Sequence, residues 1–169
     1  MHGIIHLELR KFIQARHGPE GWLRLLEQAG VATSLGYVRV GQYPDDELAA
    51  ILAAAARKTG AAVEAILEDF GEFSAADLIA MYPGLVKPEW RTLDLLLHVE
   101  QTIHQVVRLR NAGARPPLLR CARPTAEEVV ITYTSPRRLC ACARDHPRRR
   151  ASLRGARHDH GGHLYAPWR

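Results

Sequence analysis

Residues 129–137 read Val129-Val130-Ile131-Thr132-Tyr133-Thr134-Ser135-Pro136-Arg137, and the pattern of the chain turns on them. The β-branched and aromatic run Val129–Thr134 predicts a strand. Upstream of Pro116-Pro117 the chain is patterned as helix, and Leu118–Ala122 is a second short strand candidate. Helices followed by a hairpin predict an α+β fold, with a helical N-terminal subdomain leading to an antiparallel sheet. Alternate residues of an extended segment share a side. Tyr133, Ser135 and Arg137 would then present a phenol, a hydroxyl and a guanidinium in a row. Those are donors with one fixed positive charge, which suits a carboxylate-bearing ligand. Pro136 has no N–H and marks the end or edge of the strand. An ordinary polar strand face accounts for the same residues taken alone.

Working back toward the N-terminus, the longest predicted helix is Glu89–Arg110, stopped around Asn111-Ala112-Gly113. Ahead of it, Ala62–Phe70 is helical up to Gly71, Ser74 is a candidate N-cap for Ala75–Met81, and Tyr82-Pro83-Gly84 ends that segment. Asp45–Thr59 has acids at its front and Arg57-Lys58 at its back, as the helix dipole favours, with Gly60 after it. Ile4–His17 and Glu20–Ala29 are two more, separated by Gly18-Pro19.

His104 sits inside the longest helix, directly after Ile103 and one turn before Val107. A neutral imidazole fixed there could ligate a metal or haem iron; a half-buried, hydrogen-bonded histidine is the ordinary alternative. His98 is six residues earlier, on a different face, so the two cannot form an i,i+4 chelate. His158, His160 and His163 form a possible zinc or nickel set, or an adventitious run. There is no Walker loop, no Gly-x-Ser-x-Gly, no Cys-x-x-Cys and no clear acid/base pair of carboxylates, so the sequence does not suggest an enzyme.

The chain has 169 residues with Lys+Arg 23 and Asp+Glu 18, a formal charge of +5. That balance alone would suggest an acidic partner such as nucleic acid. Its distribution argues otherwise. Residues 143–169 carry seven Arg and two Asp, which accounts for the whole excess and leaves residues 1–142 neutral. No run is long enough to span a bilayer, and Met1–Glu8 lacks the pattern of a secretory signal, so a cytoplasmic protein is expected. Three cysteines do not suggest a disulfide framework.

In combination these features resemble the haem nitric oxide/oxygen-binding family, H-NOX (HNOB), related to the sensor domain of soluble guanylate cyclase. Met1-His2-Gly3-Ile4-Ile5, Tyr43-Pro44-Asp45-Asp46-Glu47-Leu48, Phe70-Gly71, Tyr82-Pro83-Gly84-Leu85, Ile103-His104 and Gly113-Ala114-Arg115-Pro116-Pro117 occur in the family's order. Tyr133-x-Ser135-x-Arg137 matches its Tyr-x-Ser-x-Arg signature. The resemblance implies a haem b cofactor, His104 as proximal iron ligand, and Tyr133, Ser135 and Arg137 on the haem propionates. It places Pro117 against the porphyrin, Ile5 and Leu9 near the distal side, and Gly71 at a pivot of the N-terminal helices. It also implies sensing of nitric oxide and carbon monoxide. Nitric oxide would weaken the iron–His104 bond and the N-terminal helices would rotate. A separate signalling enzyme, such as a histidine kinase or a diguanylate cyclase, would read the change.

A distal tyrosine stabilises oxygen in some relatives; the corresponding position here is Cys142, at most a weak donor. Apart from Ser74, the nearby candidates are apolar, which predicts poor oxygen affinity. The resemblance ends near Cys142. Residues 1–142 therefore read as an H-NOX-like domain, C-terminally incomplete relative to the family. Residues 143–169 read as an Arg/His-rich tail, either disordered or the product of a shifted reading frame. Two other functions fit parts of the sequence: a non-haem helical interaction protein with a basic nucleic-acid-contacting tail, and a metal chaperone using His158, His160 and His163.

Overall fold

The computed structural model describes residues 1–32, 36–111, 113–135 and 148–154. These divide into two compact units. The first gathers residues 1–78 with 113–115; the second gathers the described residues of 79–111 and 116–135 with those of 148–154.

The first unit is helical. Helix α1 spans Gly3–Ala29 and is broken at Gly18, whose φ of 71° only glycine adopts readily; Pro19 then starts the second part. The Gly18-Pro19 punctuation thus marks a kink between abutting helices. Helix α2, Asp45–Thr59, has the boundaries its charge pattern predicts. Helix α3, Val63–Ala80, corrects the sequence reading: it runs through Gly71 without interruption. Ser74 is not an N-cap. Its hydroxyl donates to the carbonyl of Phe70 at 2.8 Å from inside the helix and is buried there. A serine four residues after a free carbonyl can bond backward as well as forward, so its presence alone did not fix a helix start.

Leu9, Phe12, Trp22, Leu25, Ile51 and Phe70 belong to this unit's core. Phe12 meets Phe70 and Phe73 at ring distances of 5.7 and 5.6 Å, and Lys11 bridges Glu8 and Asp77, joining α1 to α3. The start of α1 is pinned to the segment before α2. The Gly3 N–H donates to Gly41 and the Tyr43 N–H to Met1, while a Cβ at Gly3 would lie 2.0 Å from the Val38 carbonyl oxygen. Glycine is required at that position.

The second unit holds the last helices and the sheet. Helix α4, Thr92–Val99, passes through a π-helical turn at Glu100–His104 into α5, Gln105–Arg110. The single predicted helix is therefore continuous but carries one wide turn, in which the Gln105 N–H bonds back to the Glu100 carbonyl. Strands β1, Leu118–Thr125, and β2, Glu128–Thr134, form the predicted hairpin, with Leu119 opposite Tyr133. A third strand, β3, Arg148–Arg154, pairs antiparallel along the other edge of β2, giving the order β1-β2-β3. This departs from a tail read as wholly irregular. The arginine run has no alternating apolar pattern; backbone pairing with the open edge of β2 specifies the strand instead. The histidines at 158, 160 and 163 lie outside the described residues.

His6 lies fully buried in α1, stacked on Tyr37 at 4.3 Å, with neither ring nitrogen in a well-formed hydrogen bond. Burial is the main reason that its pKa is lowered to about 4. The unfolded chain takes up this proton near pH 6.5, so between pH 6.5 and 4 the unfolded state binds more protons. Stability should accordingly fall by up to about 3 kcal/mol as pH drops through that window. Denaturant unfolding at pH 7 and pH 4.5 checks this, and His6→Phe should flatten the difference.

Candidate functional site

The side chains that sequence reasoning singled out fall in different places. His104, Pro117, Tyr133 and Ser135 belong to the second unit; Ile5 and Leu9 belong to the first. Leu9 is fully buried in the helical core and Ile5 packs against it. Arg137 and Cys142 lie outside the described residues.

Within the second unit the structure builds an arrangement around His104. Its Nδ1 is 3.0 Å from Glu100 Oε2, and each side chain is 17% exposed. An ionised carboxylate can only accept a hydrogen bond, so this contact places a proton on Nδ1, and in the neutral imidazole the lone pair is then on Nε2. No hydrogen bond engages Nε2 among the described residues. The same Glu100 oxygen accepts from the Leu119 N–H at 3.0 Å, and Oε1 pairs with Arg108 at 2.7 Å. Burial opposes ionisation of Glu100, but these donors together hold its carboxyl below the ordinary range.

Leu119 is the cross-strand partner of Tyr133. The carboxylate that orients His104 thus also ties its helix to the strand beside the Tyr133 position. Ser135, two residues on, is buried. Arg108 also reaches the Pro117 carbonyl, at 3.4 Å. His98 points to other company: it stacks on Trp90 at 4.6 Å and its Nδ1 meets the Asp94 carbonyl oxygen.

No residue of α4, the π-turn or α5 is buried, although Leu93, Leu95, Leu96, Leu97, Ile103, Val106 and Val107 are apolar. Half-covered apolar side chains around an imidazole with a directed lone pair fit a large, flat, mainly apolar ligand carrying a metal. The Tyr133 phenol and the Ser135 hydroxyl are donors of the kind that suit its carboxylates. The donor set therefore fits haem.

Sequence reasoning overlooked Glu100 and Arg108. The signal was present: Glu100, His104 and Arg108 are spaced four residues apart, which places acid, imidazole and guanidinium along one side of a helix.

Residues 2–145 match the haem-NO-binding family, HNOB. The chain belongs to this H-NOX family. An H-NOX protein from S. oneidensis in the Fe(II) state, a triple mutant, has 26% sequence identity and a TM-score of 0.74, over 85% of this chain and 76% of that one. The S. oneidensis protein in the Fe(II)NO state gives 24% and 0.68, over 85% and 79%. An unliganded Fe(II) H-NOX protein from K. algicida gives 23% and 0.72, over 82% and 75%. No curated protein sequence matches the chain. Members of the H-NOX family are haem-binding sensor domains, and the α+β architecture described above is the H-NOX fold. No helix among the described residues is long and apolar enough to cross a membrane.

Asp94 anchors the start of the helix that carries His104. Its Oδ2 accepts from the Arg91 N–H at the start of α4, while Oδ1 pairs with Arg123 of β1 at 2.6 Å. Asp94→Ala removes both contacts, while Arg123→Ala removes the pair with Asp94 and the bond from Arg123 to the Ala126 carbonyl. Both variants should unfold at lower denaturant than the parent, with an unchanged slope of the transition.

Proposed function

We propose that this chain is a nitric oxide sensor, with carbon monoxide as a second ligand, that carries haem b on His104. The observation that carries the reading is the His104 imidazole, whose Nδ1 is occupied by Glu100 and whose Nε2 is left to a metal. By position in the family motif, Tyr133, Ser135 and Arg137 are assigned to the propionates, Pro117 to the porphyrin face, and Ile5 and Leu9 to the distal side. When bound, ferrous haem supplies an iron that takes up a diatomic gas.

The chain's own residues set ligand choice and output. Ile5 and Leu9 have no polar hydrogen to donate. Ser74, the polar possibility, directs its single hydroxyl hydrogen to the Phe70 carbonyl. These three give oxygen no stabilising hydrogen bond, whereas nitric oxide and carbon monoxide need none. His104 is rooted in the helix from Thr92 to Arg110, so a displaced imidazole moves that helix. Gly71 lies inside α3 with open space where a Cβ would sit, so packing does not demand glycine there; by position in the family pattern it is assigned as the pivot. A separate cytoplasmic signalling enzyme, a histidine kinase or a diguanylate cyclase, is the proposed reader; neither a membrane nor nucleic acid is part of the proposal.

Haem reconstitution tests the reading. The full chain should develop a Soret band, His104→Ala should lose it, and added imidazole should restore it. Reduced protein should bind nitric oxide and carbon monoxide and hold no stable oxygen complex in air. A chain that refuses haem would overturn the sensor assignment, and a lasting oxygen spectrum would overturn the ligand preference. Separately, Gly71→Ala should stabilise the fold by about 1 kcal/mol through helix propensity while reducing the spectral or structural response to nitric oxide.

A further inference from the structure

Glu100 has a role that the family motif does not assign. Its side chain is mostly buried and carries three donors: His104 Nδ1 and the Leu119 N–H on one oxygen, and the Arg108 guanidinium on the other. This is more than is needed to hold a helix. A carboxylate bonded to the far nitrogen of an imidazole fixes the ring's tautomer and rotation and raises the electron density on the nitrogen that faces a metal. Arg108 acts in the opposite sense, drawing the carboxylate's charge toward itself and away from the imidazole. The two side chains form a graded pair, one strengthening His104 as a ligand and the other tempering it.

We infer that Glu100 is the positioning residue that sets the strength of the bond between His104 and haem iron, with Arg108 as its counterweight. The geometry supports a single device. The π-turn begins at Glu100 and ends at His104, and such turns cluster at functional sites. The Leu119 N–H lies at the start of β1, two residues after Pro117, and Arg108 reaches the Pro117 carbonyl. The acid that orients the ligand is thereby fixed to the strand rather than to its own helix alone. A strong bond from His104 resists displacement by a gas ligand on the opposite face; a weaker one yields sooner. Glu100 and Arg108 would thus set how readily the sensor responds.

The inference rests on His104 being the iron ligand, and the experiment separates the two claims. The iron–histidine stretching band of the ferrous, haem-loaded full chain is read by resonance Raman, together with the midpoint potential. Its presence in the parent and loss in His104→Gly establishes the ligand. Glu100→Gln should lower the band, raise the potential and loosen haem by about 10- to 100-fold. Arg108→Ala should move band and potential the other way, and Glu100→Asp should lie close to the parent. A merely structural acid would give shifts of the same sign in Glu100→Gln and Arg108→Ala. That result, or a band unmoved in both, overturns the role of Glu100 while leaving His104 as ligand. A parent protein with no such band overturns both.

Discussion

One half-buried carboxylate ties the histidine-bearing helix of the second unit to its sheet. Glu100 lies on the inner side of a helix that buries none of its residues fully, so apolar packing alone fixes its position weakly. A half-buried acid is unfavourable unless its lone pairs are satisfied. Here they are met by a backbone N–H from the sheet, an imidazole from one turn on and a guanidinium from two turns on. Donors from the strand and from the helix meet on one carboxylate, which sets helix against strand at one point. A packed core would set them over an area and would leave no half-covered apolar surface for a cofactor.

The first unit is built the other way. Its helices share a dense core, and its loop is brought down on α1 by backbone contacts that only glycine permits at position 3. Polar groups caught inside are tolerated rather than used. His6 stays neutral because burial disfavours its charge, and Tyr37 keeps its proton for the same reason while donating to Glu47 at 3.1 Å. One unit is rigid by apolar volume; the other is set by a small polar network.

The difference explains what the sequence disclosed. Helix α2 was legible to the residue because acids, bases and a terminal glycine all mark the same boundaries. The hairpin was legible because Val129–Thr134 is an unbroken β-branched and aromatic run. The candidate ligand His104 and the Tyr-x-Ser-x-Arg positions are assigned through a family pattern, one residue type at a time. Ser74 misled because its hydroxyl can cap a helix or bond back within one, and only the neighbours decide. Strand β3 was hidden because its cause is the open edge of β2, which no property of Arg148–Arg154 reveals. Glu100 was passed over because an acid four residues from a histidine is common on solvated helices; its meaning depends on the Leu119 N–H arriving from nineteen residues away.

The wide turn at Glu100–His104 has a consequence of another kind. A five-residue hydrogen-bonded loop holds one residue more than a regular helical turn, and one residue is about 100° of rotation. The segments before and after it are therefore out of phase, and the angular setting of the histidine is decoupled from the face chosen by Leu93, Leu96 and Leu97. A lineage can re-aim that ring by gaining or losing a single codon in the turn, a step no point substitution imitates. The helix thus carries its own indexing mark, and comparisons among relatives that assume an unbroken period across it will align the wrong faces.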